Sequence, residues 1–375
     1  MAPRVLIDAT AVPADRGGVG RYVDGLLPAL EALDADVAVS CQRADAERYA
    51  RLAPRAQVVS GPAAIAHRPA RLAWEQTGLP LVAQQVGADV VHSPHYTMPL
   101  RVGKPVVVTL HDASFFTEPE LHASVKGGFF RSATRTSLRR ATRCIVPSKA
   151  TRDELVRLLD ADPTRVDVAY HGVDTTQFHA PAETQRRRVS DRLGLHGHPY
   201  VAFLGVLERR KNVPNLIRGW SRAVFDMETP PALVLAGGSG WDEEVDAAIA
   251  EVPSHLRLVR PGFLRSMDLP GFLGGAAVVA FPSLAEGFGL PVLEAMACGA
   301  PVLTTRMLSL PEVGGDAVAY VDTDADAIAD GLRGLLDDPE RRRVLSEMGQ
   351  ARAAEFPWSA SAEAHLASYE RAAAT

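Results

Sequence analysis

Short apolar runs alternate with longer helical stretches along the whole chain. In the first half the runs are Val5–Ile7, Val37–Val39, Val58–Val59, Val90–Val91, Val106–Leu110, Cys144–Val146 and Val166–Ala169. In the second half they are Val201–Leu204, Leu233–Leu235, Leu256–Val259, Val278–Phe281, Val302–Thr304 and Val318–Val321. Runs that are apolar on both faces and joined by helical stretches predict parallel strands covered on both sides. A single sheet rarely holds so many strands. The expected fold class is therefore α/β, with two doubly wound domains.

The pattern lapses between Thr175 and Arg192, where Ala180-Pro-Ala and the polar, basic stretch Glu183–Arg188 precede the next strand signal near Pro199. The join is expected there, giving domains at 1–178 and 190–357. The tail, 358–375, is predicted to be helical from Trp358 to Ala373, and periodicity does not say where it docks.

Composition narrows the function. The 375 residues are too many for one ordinary core. With 47% hydrophobic and 23% charged residues the chain has an ordinary globular balance. A net charge of −5 speaks against a nucleic-acid binder, which carries a basic surplus. Cys41, Cys144 and Cys298 lack the paired spacing of a metal site or disulfide, which suits a reducing compartment. Met1–Asp8 runs straight into a strand pattern without the apolar core of a signal peptide, and no apolar run approaches the ~18 residues that span a bilayer. A soluble, cytoplasmic protein is expected.

The most informative motif is Glu286-Gly-Phe-Gly-Leu-Pro-Val-Leu-Glu294. It follows an apolar strand run, and its proline suits the first position of a helix. Glu286 is thus expected in the strand-to-helix loop and Glu294 in the first turn of the helix. The backbone N–H groups of Gly287, Phe288, Gly289 and Leu290 would face a ligand at the positive helix end. Carboxylates accept hydrogen bonds from hydroxyls, and helix starts accept anions. A nucleotide sugar offers both.

Other loops at predicted strand ends add chemistry. Arg209-Arg210-Lys211-Asn212 follows the strand ending at Gly205, at the carboxyl end where open α/β sheets bind ligands. A guanidinium beside an ammonium suits a diphosphate there, the alternative being a solvated basic loop. The loop Asp15-Arg16-Gly17-Gly18-Val19-Gly20-Arg21-Tyr22 opens a helix after the first strand. It lacks the G-x-G-x-x-G fingerprint, and no acidic residue closes the second strand, so a dinucleotide site is not indicated. Anion or acceptor contact and a plain turn both remain open for it. His111 ends a strand run, as do His92, His95 and His171, but their spacing does not bring them together as metal ligands. Asp322, Asp324 and Asp326 lack the sixth-position glycine and twelfth-position glutamate of a calcium loop, and N-capping of the next helix by Asp322 or Asp324 is the better reading. Arg131, Arg135 and Arg139 recur every four residues, with Lys126, Arg140 and Arg143 nearby. This gives a basic helix face that is either solvated or meets an anionic acceptor or membrane surface.

Together these residues resemble the retaining glycosyltransferases of family 4, in the GT-B superfamily. The resemblance spans essentially the whole chain. It rests most on Glu286–Glu294 in the context Phe281-Pro-Ser-Leu-Ala-Glu-Gly-Phe-Gly-Leu-Pro, continued by Glu294-Ala-Met-Ala-Cys-Gly-Ala-Pro301. Leu207-Glu-Arg-Arg-Lys-Asn212, Gly17-Gly-Val-Gly-Arg-Tyr22, His111-Asp112 and Pro147-Ser148 look like the mannosyltransferase-like branch. The resemblance implies two Rossmann-like domains facing across a cleft. The first is on the acceptor side and is rejoined by the C-terminal helix; the second binds the donor. It implies that Glu286 and the amides of Gly287, Phe288 and Gly289 meet the donor sugar and that Glu294 holds the ribose. Arg210 and Lys211 would grip the diphosphate, Gly18 would lie against the phosphate, and His111 near the reacting sugar. Gly237, Gly238 and Ser239 would line the nucleotide pocket. Arg209 stands where many relatives carry proline, and His171 where asparagine is frequent.

The expected reaction is transfer of a hexosyl group from a nucleotide sugar, GDP-mannose first and a UDP-hexose second, to a hydroxyl acceptor. That acceptor would be a carbohydrate, a lipid-linked sugar or a small natural product. No cofactor and no metal are expected, since no convincing Asp-x-Asp site occurs; retention follows from the resemblance. The alternatives are a non-catalytic nucleotide-binding protein of the same fold and a glycoside hydrolase using Glu286 and Glu294.

Overall fold

The computed structural model describes residues 2–14, 16–117 and 124–375; Asp15 lies outside them, as do the side chains of 124–126, Lys126 among these. The chain forms two compact units, one comprising Met1–Gly172 with Phe356–Thr375 and the other Val173–Glu355.

Among the described residues the first unit holds seven strands: β1 (Val5–Asp8), β2 (Val37–Cys41), β3 (Gln57–Ser60), β4 (Val90–Ser93), β5 (Val106–Thr109), β6 (Arg143–Val146) and β7 (Val166–Val168). They make one sheet in the order β3-β2-β1-β4-β5-β6-β7, with every pair parallel. The second unit holds β8 (Tyr200–Leu204), β9 (Ala232–Ala236), β10 (Leu258–Gly262), β11 (Val278–Phe281), β12 (Val302–Thr305) and β13 (Ala319–Val321). Their order is β10-β9-β8-β11-β12-β13, again all parallel. Each apolar run of the sequence corresponds to one of these strands. The tenth strand starts two residues later than its apolar run and extends to Gly262, with a register shift between Val259 and Gly262. In each sheet the chain winds outward to one edge and then restarts on the other side of the first strand. This creates a switch point between β1 and β4 and another between β8 and β11, and such points open crevices at the carboxyl ends of strands.

The polar stretch read as a join is a helix, Glu183–Arg192, packed in the second unit against the helix Leu269–Gly274. Its buried face is narrow, with only Val189 and Ser190 fully covered, and Arg188 and Arg192 reach Asp268. Apolar periodicity is weak there because ion pairs do part of the docking.

The C-terminal helix, Trp358–Ala373, packs in the first unit against the helix Gly17–Ala32. A buried polar chain fastens it. Ser361's carbonyl only accepts, so His365 Nδ1 carries the proton in that contact (2.7 Å). Burial pushes the His365 imidazole down to about 4, so it is neutral and its Nε2 accepts from the Tyr22 hydroxyl (2.6 Å). Tyr22 oxygen then accepts from Thr109 (2.9 Å), Thr109 from His92 Nε2 (2.8 Å), and His92 Nδ1 from Tyr369 (2.8 Å). One direction of donation thus satisfies every link.

Trp358 is wedged between two glycines. A Cβ on Gly25 would lie 2.1 Å from its Cε2, and one on Gly172 would lie 2.4 Å from its backbone nitrogen. Gly25→Ala gains up to ~1 kcal/mol of helix propensity but overpacks this contact at a cost of about 1–3 kcal/mol. The expected net effect is a lower melting temperature. Gly18→Ala, whose Cβ would meet nothing within 4 Å, is not expected to lower it. Thermal unfolding of both variants checks the contrast.

Candidate functional site

The switch point of the second sheet carries a charge cluster built from two loops. The β8 loop ends in a short 3-10 turn, Arg209–Lys211, and Asn212 closes it in a left-handed conformation (φ 57°). Asn212 Nδ2 donates to the carbonyls of Pro282 (3.2 Å) and Thr323 (2.7 Å), and Leu284 N donates to Arg210 O (2.8 Å). These bonds lock the β8 and β11 loops together. Ser309 Oγ donates to the Glu286 carbonyl (2.8 Å) and fixes the second loop from the other side.

Arg210 Nη1 (2.8 Å) and Lys211 Nζ (2.5 Å) both donate to Glu286 Oε1, and Arg210 Nε reaches Glu208 (3.1 Å). Lys211 also lies 4.4 Å from the centroid of the Phe281 ring. Glu286 is 8% and Lys211 5% exposed, so these are desolvated charges. Burial alone would raise the Glu286 carboxyl, but Arg210 and Lys211 hold it below the usual range. Burial, reinforced by the Arg210 charge, pushes the Lys211 ammonium down to about 8 against the attraction of Glu286. Arg210, Lys211 and Glu286 thus come together as one unit.

The remaining second-unit candidates lie on the same carboxyl edge. Gly205 follows β8 and donates to Ala236 O (2.9 Å). Gly237 follows β9 at φ 134°, with a Cβ there lying 2.0 Å from Gly205 O, so the two loops touch backbone to backbone and only glycine fits. Gly238 O accepts from Leu207 N (3.0 Å). Gly287 and Phe288 are buried beside Glu286. Gly289, at φ 104°, is the N-cap of the helix Leu290–Ala297. The helix therefore starts at Leu290, with Pro291 second. Glu294 is its fifth residue rather than part of the first turn; its carboxylate is buried one turn in, at 4% exposure. The sequence reading placed Glu294 one residue too early, in the first turn, because the proline was taken as the first helical residue.

In the first unit, Gly18 is exposed in the first turn of the helix Gly17–Ala32. Arg16, just before it, turns its guanidinium into the unit, toward Asp24, Asp45 (2.9 Å) and Tyr49 (3.0 Å). His111 follows β5. Its Nε2 contacts the Pro94 carbonyl at 2.7 Å, so that nitrogen carries the proton, and burial lowers its basicity. A neutral His111 therefore presents Nδ1 as a hydrogen-bond acceptor. The rings of Tyr22, His171 and His95 lie 5.2, 5.9 and 6.2 Å from its centroid. The histidines that spacing kept apart do gather, and Tyr22 and His365 belong with them; no local signal placed either there, since tertiary packing alone unites them. Among the described residues no group of His, Cys, Asp or Glu is arranged to hold a metal ion. Asp324 caps the helix Ala325–Leu336 through the amides of Asp326 and Ala327, as its spacing indicated. In the basic face, Arg131 donates to Phe115 O (3.2 Å) and Arg135 lies over the Phe116 ring (5.0 Å), so part of that face serves its own unit.

Two family profiles match, Glycosyltransferase Family 4 over residues 16–177 and Glycosyl transferases group 1 over residues 185–352. The O-antigen chain mannosyltransferase B of Escherichia coli is 31% identical over 272 residues, covering 72% of this chain and 71% of its own. The alpha-maltose-1-phosphate synthase of Mycolicibacterium smegmatis is 30% identical over 389 residues, covering 96% and 97%. The chain belongs to glycosyltransferase family 4. Its fold is GT-B. A sucrose-phosphate synthase from Thermosynechococcus elongatus aligns with TM-score 0.78 at 21% identity, covering 96% of both chains. Anabaena HepE in complex with UDP-glucose aligns with TM-score 0.77 at 19% identity, covering 97% of this chain and 98% of that one. No helix of the described residues in this glycosyltransferase is long and apolar enough to cross a membrane.

The depressed Lys211 has a direct consequence. Above about pH 8 the unliganded protein loses that cation while Arg210 keeps its charge. Affinity for its best-binding nucleoside diphosphate is expected to fall several-fold between about pH 7 and about pH 9, and to stay nearly level in Lys211→Arg. Calorimetric titration at both pH values checks this; a level wild-type profile would contradict it.

Proposed function

We propose that this glycosyltransferase moves a hexosyl group from a nucleotide sugar to a hydroxyl acceptor, with retention and without a metal. The observation that supports the reading best is the pair of cations, buried Lys211 and half-buried Arg210, on one buried carboxylate at the switch point of the second sheet. In this reading the second unit binds the donor and the first the acceptor. GDP-mannose is the first choice of donor, in keeping with the mannosyltransferase relative, and a UDP-hexose the second. Activity in the cytoplasm belongs to the same proposal.

The chemistry asks the protein to stabilise a departing diphosphate. Arg210 and Lys211, fixed before the donor arrives, supply that as preorganised charge, an effect worth several kcal/mol. The helix start at Leu290 adds amide dipoles aimed the same way. Glu286 accepts sugar hydroxyls through oxygen capacity beyond its two ion pairs, and Glu294 takes the ribose. His111, neutral and offering Nδ1, accepts from a sugar hydroxyl. With no strong protein nucleophile to assign, the acceptor attacks on the face the diphosphate leaves, and the leaving phosphate takes the acceptor proton. A glycosidase reading fits poorly, because its acid needs a raised pKa and Glu286 is held low by two cations.

Incubation with GDP-, UDP-, ADP- and dTDP-sugars is expected to release nucleotide, faster with an acceptor, and undiminished by EDTA. Absence of release from every donor would refute the reading. Activity lost to EDTA and restored only by a divalent ion would refute metal independence. NMR of the product is expected to show the donor's anomeric configuration.

Glu286→Gln separates the roles further. It leaves Arg210 and Lys211 without their counter-charge, a loss of about 3–5 kcal/mol in stability that a bound diphosphate can offset. Turnover is expected to collapse while affinity for free nucleoside diphosphate holds or rises. Glu294→Gln is expected to weaken nucleotide binding and turnover together. Equal binding losses in the two variants would contradict this division.

A further inference from the structure

The switch point of the first sheet carries a second buried polar cluster, on the sheet face opposite the C-terminal helix. The helix Arg68–Gln85 covers that face, burying Leu79, Val82 and Ala83 in one core with Leu6, Ala38 and Val91 of the strands. One and two turns before Leu79 the same stripe becomes ionic, with Glu75 (2% exposed) and Arg71 (8%) paired at 2.9 Å. Glu75 is fully engaged, since it also accepts from Thr97 Oγ1 (2.6 Å) and Gln76 Nε2 (3.0 Å).

Asp8, the last residue of β1, shares the face of Leu6 by strand alternation and is 2% exposed. Its Oδ1 accepts from Thr10 N (3.1 Å) and Thr10 Oγ1 (2.6 Å), and its Oδ2 has no hydrogen-bond partner among the described residues. Burial raises the Asp8 and Glu75 carboxyls; the Arg71 charge opposes this at both, while Asp8 adds to it at Glu75. On the flanking strands, Ser40 is the register partner of Asp8, and Ser93 follows His92, the partner of Ile7. Alternation turns both serines to the same face as Ala38 and Val91. Both hydroxyls are buried without a hydrogen-bond partner among the described residues.

A buried polar group without a partner costs about 1–3 kcal/mol, and native proteins keep few of them. Here two buried hydroxyls stand unmatched beside a carboxylate whose Oδ1 alone is engaged, at a point where open parallel sheets receive ligands. Charges bias the choice of ligand. Burial raises both carboxyls, and with both ionised against one guanidinium the cluster carries −1, which repels a phosphate and favours neutral hydroxyls. A sugar hydroxyl donates to Asp8 Oδ2 and accepts from a serine, satisfying both at once.

We propose that Asp8, Ser40 and Ser93, with Arg71 and Glu75 holding Asp8's surroundings, bind the hydroxyls of a neutral, unphosphorylated sugar at the carboxyl end of the first sheet. The site rests on the function proposed above, as the place where the acceptor is recognised, and it makes that acceptor a neutral glycoside end.

The test measures binding of methyl α-mannoside and of mannose 6-phosphate to the full chain by saturation-transfer NMR, without donor. The wild-type protein is expected to bind the methyl glycoside and to reject the phosphorylated sugar. Asp8→Asn is expected to weaken glycoside binding by tenfold or more. Ser40→Ala/Ser93→Ala, which removes the unmatched hydroxyls with little change of shape, is expected to weaken it several-fold even if Asp8→Asn fails to fold. Glycoside affinity unchanged in the double serine variant shows a cluster filled by water and overturns the site. Preference for the phosphorylated sugar overturns it equally. Loss of glycoside binding in the variants of a protein that releases nucleotide from no donor supports the site and refutes the proposed function. Nucleotide release with glycoside binding indifferent to the variants does the reverse.

Discussion

The second unit is organised around one oxygen atom. Glu286 Oε1 accepts from both Arg210 and Lys211; Glu286 and Lys211 are buried and Arg210 is half-buried. Burying such charges is costly unless they are paired at close range, so neither loop can move without stranding a charge on the other. That constraint explains the surrounding detail. Asn212 holds a left-handed turn and spans to two carbonyls, Ser309 pins the Glu286 backbone, and Gly237 lets neighbouring loops touch. The same arrangement keeps two cations ready for an anion without flexible side chains having to be ordered when it binds. Lys211 is the softest member, because burial and Arg210 work together against its charge.

The two units share a topology and diverge in chemistry. Both are all-parallel sheets with one switch point, and both place polar groups at the carboxyl ends of the strands flanking it. The second unit gathers cations around a carboxylate. The first gathers neutral imidazoles and hydroxyls on one face of its sheet and a net-negative cluster on the other. His92 and His365 remain neutral because desolvation dominates, and both ring nitrogens of each already have a defined donor or acceptor role. Backbone geometry supplies the crevice, and only the side chains at the strand ends decide which charge it welcomes.

Much of this was legible in the chain. Doubly apolar runs foretold parallel strands, since a strand covered on both faces has no polar side to show. Arg210, Lys211 and Glu286 were recognisable because a strand run just before each loop places it at a carboxyl edge. Where the reading slipped, the reasons are local. Pro291 is the second helical residue and not the first, which moves Glu294 out of the first turn. The helix Glu183–Arg192 carries too small an apolar face to show a period, because Asp268 anchors it through arginines.

The sequence by itself determined the fold class, the family and the loops that carry the charged and glycine-rich residues, because these depend on periodicity and on contiguous motifs. Tertiary structure alone decided that Glu286 takes both cations on one oxygen. It also decided that Tyr22, His92, Thr109, His365 and Tyr369 form a single donor-to-acceptor chain, and that Asp8 meets Arg71, Glu75 and two unmatched serines. These groups come from segments far apart in the chain. Their pairing follows from strand order and register, which no local pattern of hydrophobic and polar residues encodes. So the two glutamates of the Glu286–Glu294 motif, alike in sequence, differ in the fold: one compensates cations in a loop, and the other is buried one turn into a helix.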